Sequence, residues 1–232
     1  MTSVLILGSS KGLGKDLYNL FTKNKYQVTG VSRSKGKETD YICDLSNKDE
    51  VKALVAQLDN SMPKHIVFNA GQGSSDKDLY KDREIELYNQ NFLTSKFFAD
   101  EVLLNIKTFS GLETLTFINS ICALKDFECT DEYKKAKTEL LIFTKELSKK
   151  LINNKVRVNS LLPGNIMHEN SVWNKKFNNK TDLDNYVKKT MPLGDWVYPE
   201  DIYNAVTFLI NNKNIVNSEI ILDGGQSLHL PN

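Results

Sequence analysis

The sequence predicts one α/β domain built on a doubly wound parallel β-sheet of about seven strands flanked by helices. Short apolar runs alternate along the chain with longer segments of helical period, which is typical of βαβ units. The length of 232 residues suits one such domain, and the charged (25%) and hydrophobic (40%) fractions are those of an ordinary globular protein. We find no internal repeat or linker-like tract, so residues 1–232 are read as a single domain.

The elements of the N-terminal half follow from local patterns. Strands are predicted at residues 4–7, 27–32, 40–43 and 65–68, where apolar and β-branched residues cluster. A helix over about 13–22 follows the first strand after a glycine-rich turn. Ser46 and Asp49 have the spacing of a capping box, which predicts a helix that opens there and ends at Leu58. A long helix is expected over about 84–104.

The C-terminal half continues the alternation. Strands are predicted at residues 114–118, 156–161 and 219–222. Thr130 is expected to cap a helix over about 131–153, and Pro199 to occupy the first position of a helix that ends near 209. Between them lies a long excursion, residues 165–191, with one helix for which Thr181 is the predicted cap and Asp184 the third helical residue. Long connections of this kind are often lids, so we call residues 165–191 the lid segment.

Composition excludes several classes of function. The chain has 30 basic and 29 acidic side chains, which leaves no electrostatic footprint for nucleic acid or for an anionic membrane. We expect no membrane span and no secretion signal, because apolar runs are short and the first residues lack a signal pattern. Cys43, Cys122 and Cys129 form no C-x-x-C pair, and the three histidines are scattered, so no metal site is expected. The expected location is the cytoplasm.

A glycine-rich loop lies directly between the first predicted strand and the first predicted helix. Its residues are Gly8, Ser9, Ser10, Lys11, Gly12, Leu13 and Gly14. Glycines allow a tight turn and close approach of the backbone to a pyrophosphate, while the helix N-terminus offers free N–H groups to that anion. The loop therefore predicts a dinucleotide-binding site, with Gly8, Ser10, Lys11, Gly12, Leu13 and Gly14 as cofactor contacts.

The end of the second strand indicates which dinucleotide is bound. An NAD site normally has a carboxylate there for the ribose 2′-hydroxyl, whereas an arginine suits a 2′-phosphate. This chain has Ser32 and Arg33 at that point, and Lys11 lies in the glycine loop on the same side. We therefore expect NADP(H) rather than NAD(H). The alternative is that Arg33 is only a solvated loop charge.

Three side chains point to proton transfer. Tyr133 and Lys137 are four residues apart on a predicted helix and so share a face. A nearby ammonium lowers the pKa of a phenol by roughly 1–3 units, towards the range in which it transfers protons well. Ser120 follows the fifth predicted strand, at the sheet edge where ligands bind in open α/β folds, and its hydroxyl can bond a substrate carbonyl.

Taken together, these motifs resemble the short-chain dehydrogenase/reductase family. The resemblance spans essentially the whole chain and rests on Gly8-x-x-x-Gly12-x-Gly14, Asn69-Ala70-Gly71, Ser120, Tyr133-x-x-x-Lys137, Pro163-Gly164 and Asp223-Gly224-Gly225. It implies a Rossmann-like fold and a dehydrogenase or reductase activity on CH–OH and C=O groups. A homodimer or homotetramer, packed through the helix that carries Tyr133 and the helix before it, is implied as well.

The resemblance also implies roles for single residues. In the family, the tyrosine matching Tyr133 donates a proton to the ketone, and the serine matching Ser120 orients the carbonyl. The lysine matching Lys137 lowers the tyrosine pKa and contacts the nicotinamide ribose. Asn91 resembles the fourth catalytic residue, which holds a water in a proton relay.

Further cofactor contacts are implied along the chain. Asp44 and Leu45 resemble the pair that borders the adenine. The remaining residues that match family contacts are Asn69, Ala70, Gly71, Pro163, Gly164 and Ile166, of which the last three resemble the segment that meets the nicotinamide carboxamide. Ile166 replaces a threonine that often touches the carboxamide, which leaves the backbone amide as the expected contact. Leu7 and Phe68 also depart from the family's usual threonine and asparagine.

The expected function is NADP(H)-dependent interconversion of a ketone and a secondary alcohol. A 3-oxoacyl thioester leads as substrate, because it is the family's commonest template, over a keto-sugar, a nucleotide-sugar or another small carbonyl compound. A protein that senses NADP without turnover is an alternative of a different class, and a sugar-nucleotide epimerase or dehydratase is disfavoured by the glycine spacing.

The sequence patterns do not identify the substrate class. Trp173 and Phe177, four residues apart in the lid segment, either pack on the substrate or pack within the lid itself. The lid lysines Lys175, Lys176 and Lys180 either meet an anionic substrate or form solvated surface.

Overall fold

The computed structural model describes residues 2–58, 61–73, 83–109, 111–125, 127, 129–169, 171, 173–177 and 179–228. The strands are β1 (Ser3–Leu7), β2 (Gln27–Ser32), β3 (Tyr41–Ile42), β4 (His65–Phe68), β5 (Thr114–Ile118), β6 (Arg157–Pro163) and β7 (Glu219–Leu222). The helices are α1 (Gly12–Lys23), α2 (Lys48–Leu58), α3 (Glu84–Tyr88), α4 (Thr94–Leu104), α5 (Asp131–Leu151), α6 (Trp173–Lys176), α7 (Lys180–Thr190) and α8 (Pro199–Asn211).

In the described part of the chain, the strands form one parallel sheet in the order β3-β2-β1-β4-β5-β6-β7. The chain leaves β1 for one side of the sheet and returns to the other side with β4. The loops that follow these two strands therefore diverge and leave a crevice at their carboxyl ends, where open α/β sheets bind ligands. The prediction of a doubly wound parallel sheet with seven strands is confirmed.

Alternation along β1 shows how the sheet is covered on both faces. Leu5 and Leu7 point into an apolar cluster with residues of α2, α4 and α5, whereas Val4 and Ile6 point into a second cluster with residues of α1 and α8. All four side chains are buried. A strand covered on both sides has no need of polar residues, which explains why β1 reads as a continuous apolar run.

The long helix predicted over 84–104 is present but is not uniform. Helices α3 and α4 are joined by a π-helical turn over Asn89–Leu93, which is one residue wider per turn than an α-helix. Asn91 lies inside this turn and is buried. Such turns are frequent at functional sites, and this one directs a side chain that the sequence analysis assigns to catalysis.

Two predicted helix caps are wrong. Asn47, not Ser46, caps α2: its side-chain oxygen accepts hydrogen bonds from the backbone N–H of Asp49 (3.0 Å) and Glu50 (3.4 Å). The Ser46 hydroxyl is already used, since it donates to Asp44 Oδ1 at 2.7 Å. Asn179 caps α7, two residues before the predicted Thr181, and accepts a hydrogen bond from the N–H of Asp182.

The other predicted boundaries need little revision. Thr130 caps α5 as expected, accepting from the N–H of Tyr133 at 3.3 Å, and Pro199 occupies the first turn of α8. Strand β3 is shorter than predicted, and β6 extends two residues further, to Pro163. None of the helices in the described part of the chain combines the length and hydrophobicity that a bilayer span requires.

The lid segment forms a small apolar cluster together with Trp196, which follows it in the chain. Trp173, Tyr186 and Trp196 stack in sequence, with ring centroids 5.3 Å and 5.9 Å apart, and Phe177 contacts Tyr186 at 5.2 Å. The Lys176 ammonium lies over the Trp173 ring, 5.0 Å from its centroid. Of the two interpretations of Trp173 and Phe177, the structure supports packing within the lid.

Candidate active site

The glycine loop requires glycine at two positions for steric reasons. Gly8 has a φ of +88°, and a Cβ there would lie 2.7 Å from Ala70 Cα. A Cβ on Gly14 would lie 1.8 Å from the carbonyl oxygen of Gly8, because α1 begins in contact with the end of β1. Asn69 joins the two sides of the crevice by donating from Nδ2 to the Gly8 carbonyl at 2.9 Å.

A cavity of about 1010 Å³ runs along the carboxyl edge of the sheet beside this loop. The predicted cofactor residues that line it are Gly8, Ser10, Lys11, Arg33, Asp44, Leu45, Asn69, Ala70 and Gly71. Gly12, Leu13 and Gly14 form the adjoining first turn of α1. The cavity and the backbone N–H groups of that turn fit an extended dinucleotide. Any side chain at Gly8 or Gly14 would clash with the neighbouring backbone and close the turn.

Charged groups are concentrated at one end of the cavity. Arg33 is exposed there, and Arg83, from the start of α3, lines the same space and pairs with Glu86 at 2.6 Å. Burial acts to raise the pKa of Asp44, but two hydrogen bonds from Ser46 and the charge of Arg33 hold that pKa below its ordinary value. Arg83 has no signal in the sequence, because only the fold brings α3 to this edge.

Ser120, Tyr133 and Lys137 meet beside the end of β5. Ser120 Oγ accepts a hydrogen bond from the N–H of Cys122 at 3.2 Å, and Ser120 acts to lower the pKa of Tyr133. Lys137 lies one turn after Tyr133 on α5, is buried, and donates from Nζ to the Ile118 carbonyl at 3.3 Å. Its Nζ is 5.6 Å from the centroid of the Tyr133 ring.

The electrostatics of this group differ from expectation. Burial raises the pKa of Tyr133 above its ordinary value, and the charge of Cys122 raises it further, against the hydrogen bond from Ser120. Burial lowers the pKa of Lys137 to about 8. The net shift of the Tyr133 pKa is therefore upward, opposite to the expected direction, because burial outweighs the groups that favour the phenolate.

Asn91 lies in the π-helical turn, and its side chain is fixed by hydrogen bonds to backbone groups outside that turn. Its Nδ2 donates to the carbonyls of Leu87 (2.9 Å) and Gln72 (3.0 Å), and its Oδ1 accepts from the N–H of Gln72 (3.2 Å). These contacts hold the turn after Gly71, which lines the cavity. A Cβ on Gly71 would lie 2.8 Å from Asn91 Oδ1, so the two residues are closely packed.

Pro163, Gly164 and Ile166 lead from β6 into the lid segment. Gly164 donates to the Leu222 carbonyl at 2.9 Å and packs against Asp223, where a Cβ would approach within 2.9 Å. The side chain of Ile166 packs on the apolar cluster that includes α1 and α8, and its backbone pairs with Val197. Across the described residues, no group of three or more His, Cys, Asp or Glu side chains suits a metal ion.

Two features of the site were missed by the sequence analysis. The ring of His168, from the lid segment, lies against Gly12, where a Cβ would meet its Cε1 at 3.4 Å. Burial lowers the pKa of His168, and the charge of Asp16 on α1 opposes that shift. The second feature is that the charges of Cys122 and Cys129 act on Tyr133 and raise its pKa. Neither has a sequence pattern, because both depend on loops that the fold brings together.

Comparison with known proteins gives consistent similarities. The family profile described as enoyl-(acyl carrier protein) reductase matches residues 17–227. A 3-oxoacyl-[acyl-carrier-protein] reductase of Mus musculus is 24% identical, over 96% of this chain and 97% of its own length. Among solved structures, ElxO with NADP bound has a TM-score of 0.84 and 21% identity, covering 98% of this chain and 99% of that one. A 4-hydroxyisoleucine dehydrogenase complexed with NADH has a TM-score of 0.83 and 22% identity, covering 99% and 100%.

Proposed function

Because the chain belongs to the short-chain dehydrogenase/reductase family of oxidoreductases, we propose that it interconverts a ketone and a secondary alcohol with NADP(H). The observation that carries this proposal is the buried Lys137 ammonium, 5.6 Å from the centroid of the Tyr133 ring on the same helix, at the edge of the sheet where Ser120 follows β5. This grouping offers a proton donor and a second hydroxyl to one carbonyl oxygen.

The cofactor is held by residues along the crevice. The turn from Gly8 and the N-terminus of α1 bind the pyrophosphate, since both present backbone N–H groups and little side-chain bulk. Arg33 and Lys11 line the same cavity as Asp44 and bind the 2′-phosphate. Charge-assisted hydrogen bonds contribute on the order of 1.5–3 kcal/mol each, enough for a clear preference for NADP(H) over NAD(H).

When bound, the reduced nicotinamide supplies a hydride to the carbonyl carbon. Tyr133 Oη gives its proton to the carbonyl oxygen, and Ser120 Oγ orients that oxygen by donating a hydrogen bond. The raised pKa of Tyr133 keeps its hydroxyl protonated, which suits it to act as an acid in the direction of reduction. Lys137 stabilises the negative charge left on the tyrosine, and Asn91 holds the turn after Gly71 and positions a proton relay.

We propose a 3-oxoacyl thioester as the leading substrate. Support comes from the 3-oxoacyl-[acyl-carrier-protein] reductase relative, which this chain matches over 96% of its length. The aromatic side chains of the lid segment pack on one another, so we propose that the acyl group is held by other residues. A keto-sugar or nucleotide-sugar is the alternative substrate, and NADP sensing without turnover is the alternative function.

We propose that the protein acts in the cytoplasm as a homodimer or homotetramer, assembled through α5 and the helix before it. Helix α5 supports this by exposing an isoleucine, Ile142, of which 58% is accessible to solvent. A lone exposed aliphatic residue is common, but here it lies on the helix that carries Tyr133.

The test is NADPH consumption by the purified protein against a panel of 3-oxoacyl thioesters, small diketones and free or nucleotide-linked keto-sugars. NADH is run in parallel. We expect turnover of at least one member of the panel, faster with NADPH, and a loss on the order of 10²–10⁴-fold in Tyr133→Phe. Cofactor affinity, measured by fluorescence titration, should be unchanged in that variant.

Two results would count against the proposal. Near wild-type turnover in Tyr133→Phe would remove the proton-donor role of this residue. Tight NADPH binding without turnover of any carbonyl compound would favour the sensing alternative.

A further inference from the structure

The glycine loop is joined to the loop after β2 by a buried serine. Ser9 is fully buried, and its hydroxyl donates a hydrogen bond to the backbone carbonyl of Glu38. The same hydroxyl lies 3.4 Å from the carbonyl oxygen of Val31, in β2. We call residues 33–40, which connect β2 to β3, the β2–β3 loop. Ser9 therefore ties together two segments that both border the proposed cofactor crevice.

The close approach of this loop to β2 leaves no room for a side chain at Gly30. A Cβ there would lie 2.0 Å from the Glu38 carbonyl oxygen and 2.6 Å from Ser9 Oγ. Glycine inside a strand weakens the strand and often marks a place where another backbone segment approaches closely. The glycine at this position therefore fits the contact between Ser9 and Glu38, since any larger residue would displace the carbonyl that Ser9 bonds.

Two further ties hold the base of the β2–β3 loop. The N–H of Gly30 donates to Asp40 Oδ2 at 2.7 Å, and the N–H of Asp40 donates to the Gly30 carbonyl at 2.9 Å. Ser32 Oγ donates to the Ser34 carbonyl at 2.7 Å and lies 2.8 Å from Thr39 Oγ1, so Thr39 is the donor in that second pair. The bond from Ser9 adds a tie from outside the loop.

The bond between Ser9 and Glu38 also sets the spacing of two cations. Lys11 follows Ser9 in the glycine loop, and Arg33 is the first residue of the β2–β3 loop. Both cations line the cavity in which the 2′-phosphate is proposed to bind. A loop that is held in place before its ligand arrives loses less conformational entropy on binding, which strengthens that binding.

We propose that Ser9 is a positioning residue for cofactor selectivity. By holding the β2–β3 loop through Glu38, it keeps Arg33 and Lys11 in place for the 2′-phosphate of NADP(H). Ser9 does not touch that phosphate itself, because its side chain is buried and bonded to the backbone. This inference rests on the proposed function, since it concerns the preference for NADP(H) over NAD(H).

The main experiment measures the dissociation constants of NADPH and NADH for the wild type and Ser9→Ala by fluorescence titration. We expect Ser9→Ala to weaken NADPH binding on the order of fivefold to thirtyfold, because the Glu38 carbonyl loses its donor and the loop is released. NADH lacks the 2′-phosphate, so its affinity should change by less than about twofold.

Ser3→Ala is the matched control. Ser3 Oγ accepts a hydrogen bond from the N–H of Lys64 at 3.0 Å, at the opposite end of β1 from the glycine loop. This variant also loses a hydroxyl that joins two distant segments, but it leaves the β2–β3 loop untouched. Both cofactor affinities should therefore match those of the wild type.

A double variant shows whether Ser9 acts through Arg33. In Arg33→Ala the loop no longer carries the guanidinium that binds the phosphate. Adding Ser9→Ala to that background should therefore reduce NADPH affinity much less than Ser9→Ala alone does, because the two residues act as a unit.

A pair of variants at Thr39 tests the loop by a second route. Thr39→Val removes the hydroxyl that bonds Ser32 and keeps the shape of the side chain. It should weaken NADPH binding selectively, as Ser9→Ala does. Thr39→Ser keeps the hydroxyl and should retain the affinity of the wild type for both cofactors.

Limited trypsin digestion tests the loop without any cofactor. Arg33, Lys35 and Lys37 are exposed cleavage sites in the loop, and cleavage of a folded protein requires the segment to open locally. We expect the initial rate of cleavage at these sites, mapped by mass spectrometry, to rise at least about threefold in Ser9→Ala. In Ser3→Ala the rate should not change.

Three results would overturn the proposal: unchanged NADPH affinity in Ser9→Ala, an equal loss of affinity for NADPH and NADH, or a loss that is undiminished in the Arg33→Ala background. If the wild type does not prefer NADPH, the proposed cofactor preference fails and the role of Ser9 in it fails as well. A preference that Ser9→Ala leaves intact overturns the role of Ser9 alone.

Discussion

Lys137 is a positive charge inside the protein, and its burial lowers the pKa from 10.5 to about 8. The unfolded chain keeps this proton up to about pH 10.5, whereas the folded protein loses it from about pH 8. The folded protein therefore binds fewer protons between these two values, so stability rises with pH across that window. Below about pH 8, Lys137 is charged in both states, and the folded protein bears the full free-energy cost of burying that charge.

Replacement of Lys137 by methionine removes this charge and keeps a long apolar stem. We expect Lys137→Met to raise the free energy of unfolding near pH 7 by up to roughly 3 kcal/mol, although the variant loses catalytic function. The difference from wild type should shrink as pH rises from about 8 to 10.5. Urea unfolding at both ends of this window measures it. Lys52→Met, on the exposed side of α2, should change stability by less than about 0.5 kcal/mol.

Arg33 is the residue on which the proposed cofactor preference depends most directly. We expect Arg33→Ala to weaken NADPH binding on the order of tenfold to a hundredfold, because a charge-assisted hydrogen bond to the 2′-phosphate is lost. NADH lacks that phosphate, so its affinity should not change. Fluorescence titrations with both cofactors measure the effect, and Lys37→Ala, an exposed cation further along the same loop, is the control. An equal loss for both cofactors would contradict the assignment.

For single residues, the sequence predicts which side chains meet better than it predicts their pKa values. Residues four apart share a helix face, so Tyr133 and Lys137 were paired correctly, and parallel strands end at one edge, which brings Ser120 to them. The direction of the tyrosine pKa shift was predicted wrongly, because it depends on burial and on Cys122. The seven-residue spacing of Cys122 and Cys129 matches no motif, so their effect on the Tyr133 pKa is visible only in the fold.

Among the elements, helix α8 has its C-terminal carbonyls hydrogen-bonded by a side chain from a strand. Arg157, on β6, donates from Nη1 to the carbonyls of Leu209 (2.6 Å) and Asn212 (3.0 Å) and from Nη2 to that of Ile210 (3.1 Å). Carbonyls at a helix C-terminus have no partner within the helix, and a cation there also opposes the negative end of the helix dipole. The guanidinium therefore terminates α8 and attaches it to the sheet.

Removal of this guanidinium should destabilise the fold. We expect Arg157→Met to lower the free energy of unfolding by about 3 kcal/mol, because buried carbonyls lose their donors while the apolar stem is retained. Urea or thermal unfolding measures the loss. Lys149→Met is a suitable control, since Lys149 is an exposed cation paired with Glu146 and such pairs contribute at most about 1 kcal/mol. A loss in Arg157→Met no larger than in the control would contradict this role.

Element types were predicted more accurately than element ends. Strands β2, β4 and β5 begin and end where apolar and β-branched patterns predict. β4 and β5 are buried along their whole length, and a strand buried on both faces tolerates few polar residues. Caps were less predictable: Ser46 and Asn47 both suit the position, and only the bond from Ser46 to Asp44 decides between them. The π-helical turn has no local signature, since it is stabilised by contacts of Asn91 with Gln72, outside the helix.

For the whole molecule, the prediction concerns self-association. We expect light scattering to give a homodimer or homotetramer mass, and Ile142→Lys to shift it towards the monomer, because a charge would then be buried in the contact through α5. Ile42→Lys is the control, since Ile42 is similarly exposed (63%) but lies on β3, at the edge of the sheet. An unchanged mass in Ile142→Lys would place the contact elsewhere.

The strand order bears on how the protein forms during translation. After β1, strands β2 and β3 add on one side; every strand from β4 onwards then adds at the opposite outer edge, in the order in which the ribosome makes it. No strand has to insert between two that have already paired, so the sheet can grow outwards while the chain is still emerging. β7 is translated last and covers the edge of β6, whose residues are all buried. A nascent chain that stalls before Glu219 would leave that apolar strand with an open edge, which is the form most prone to aggregation.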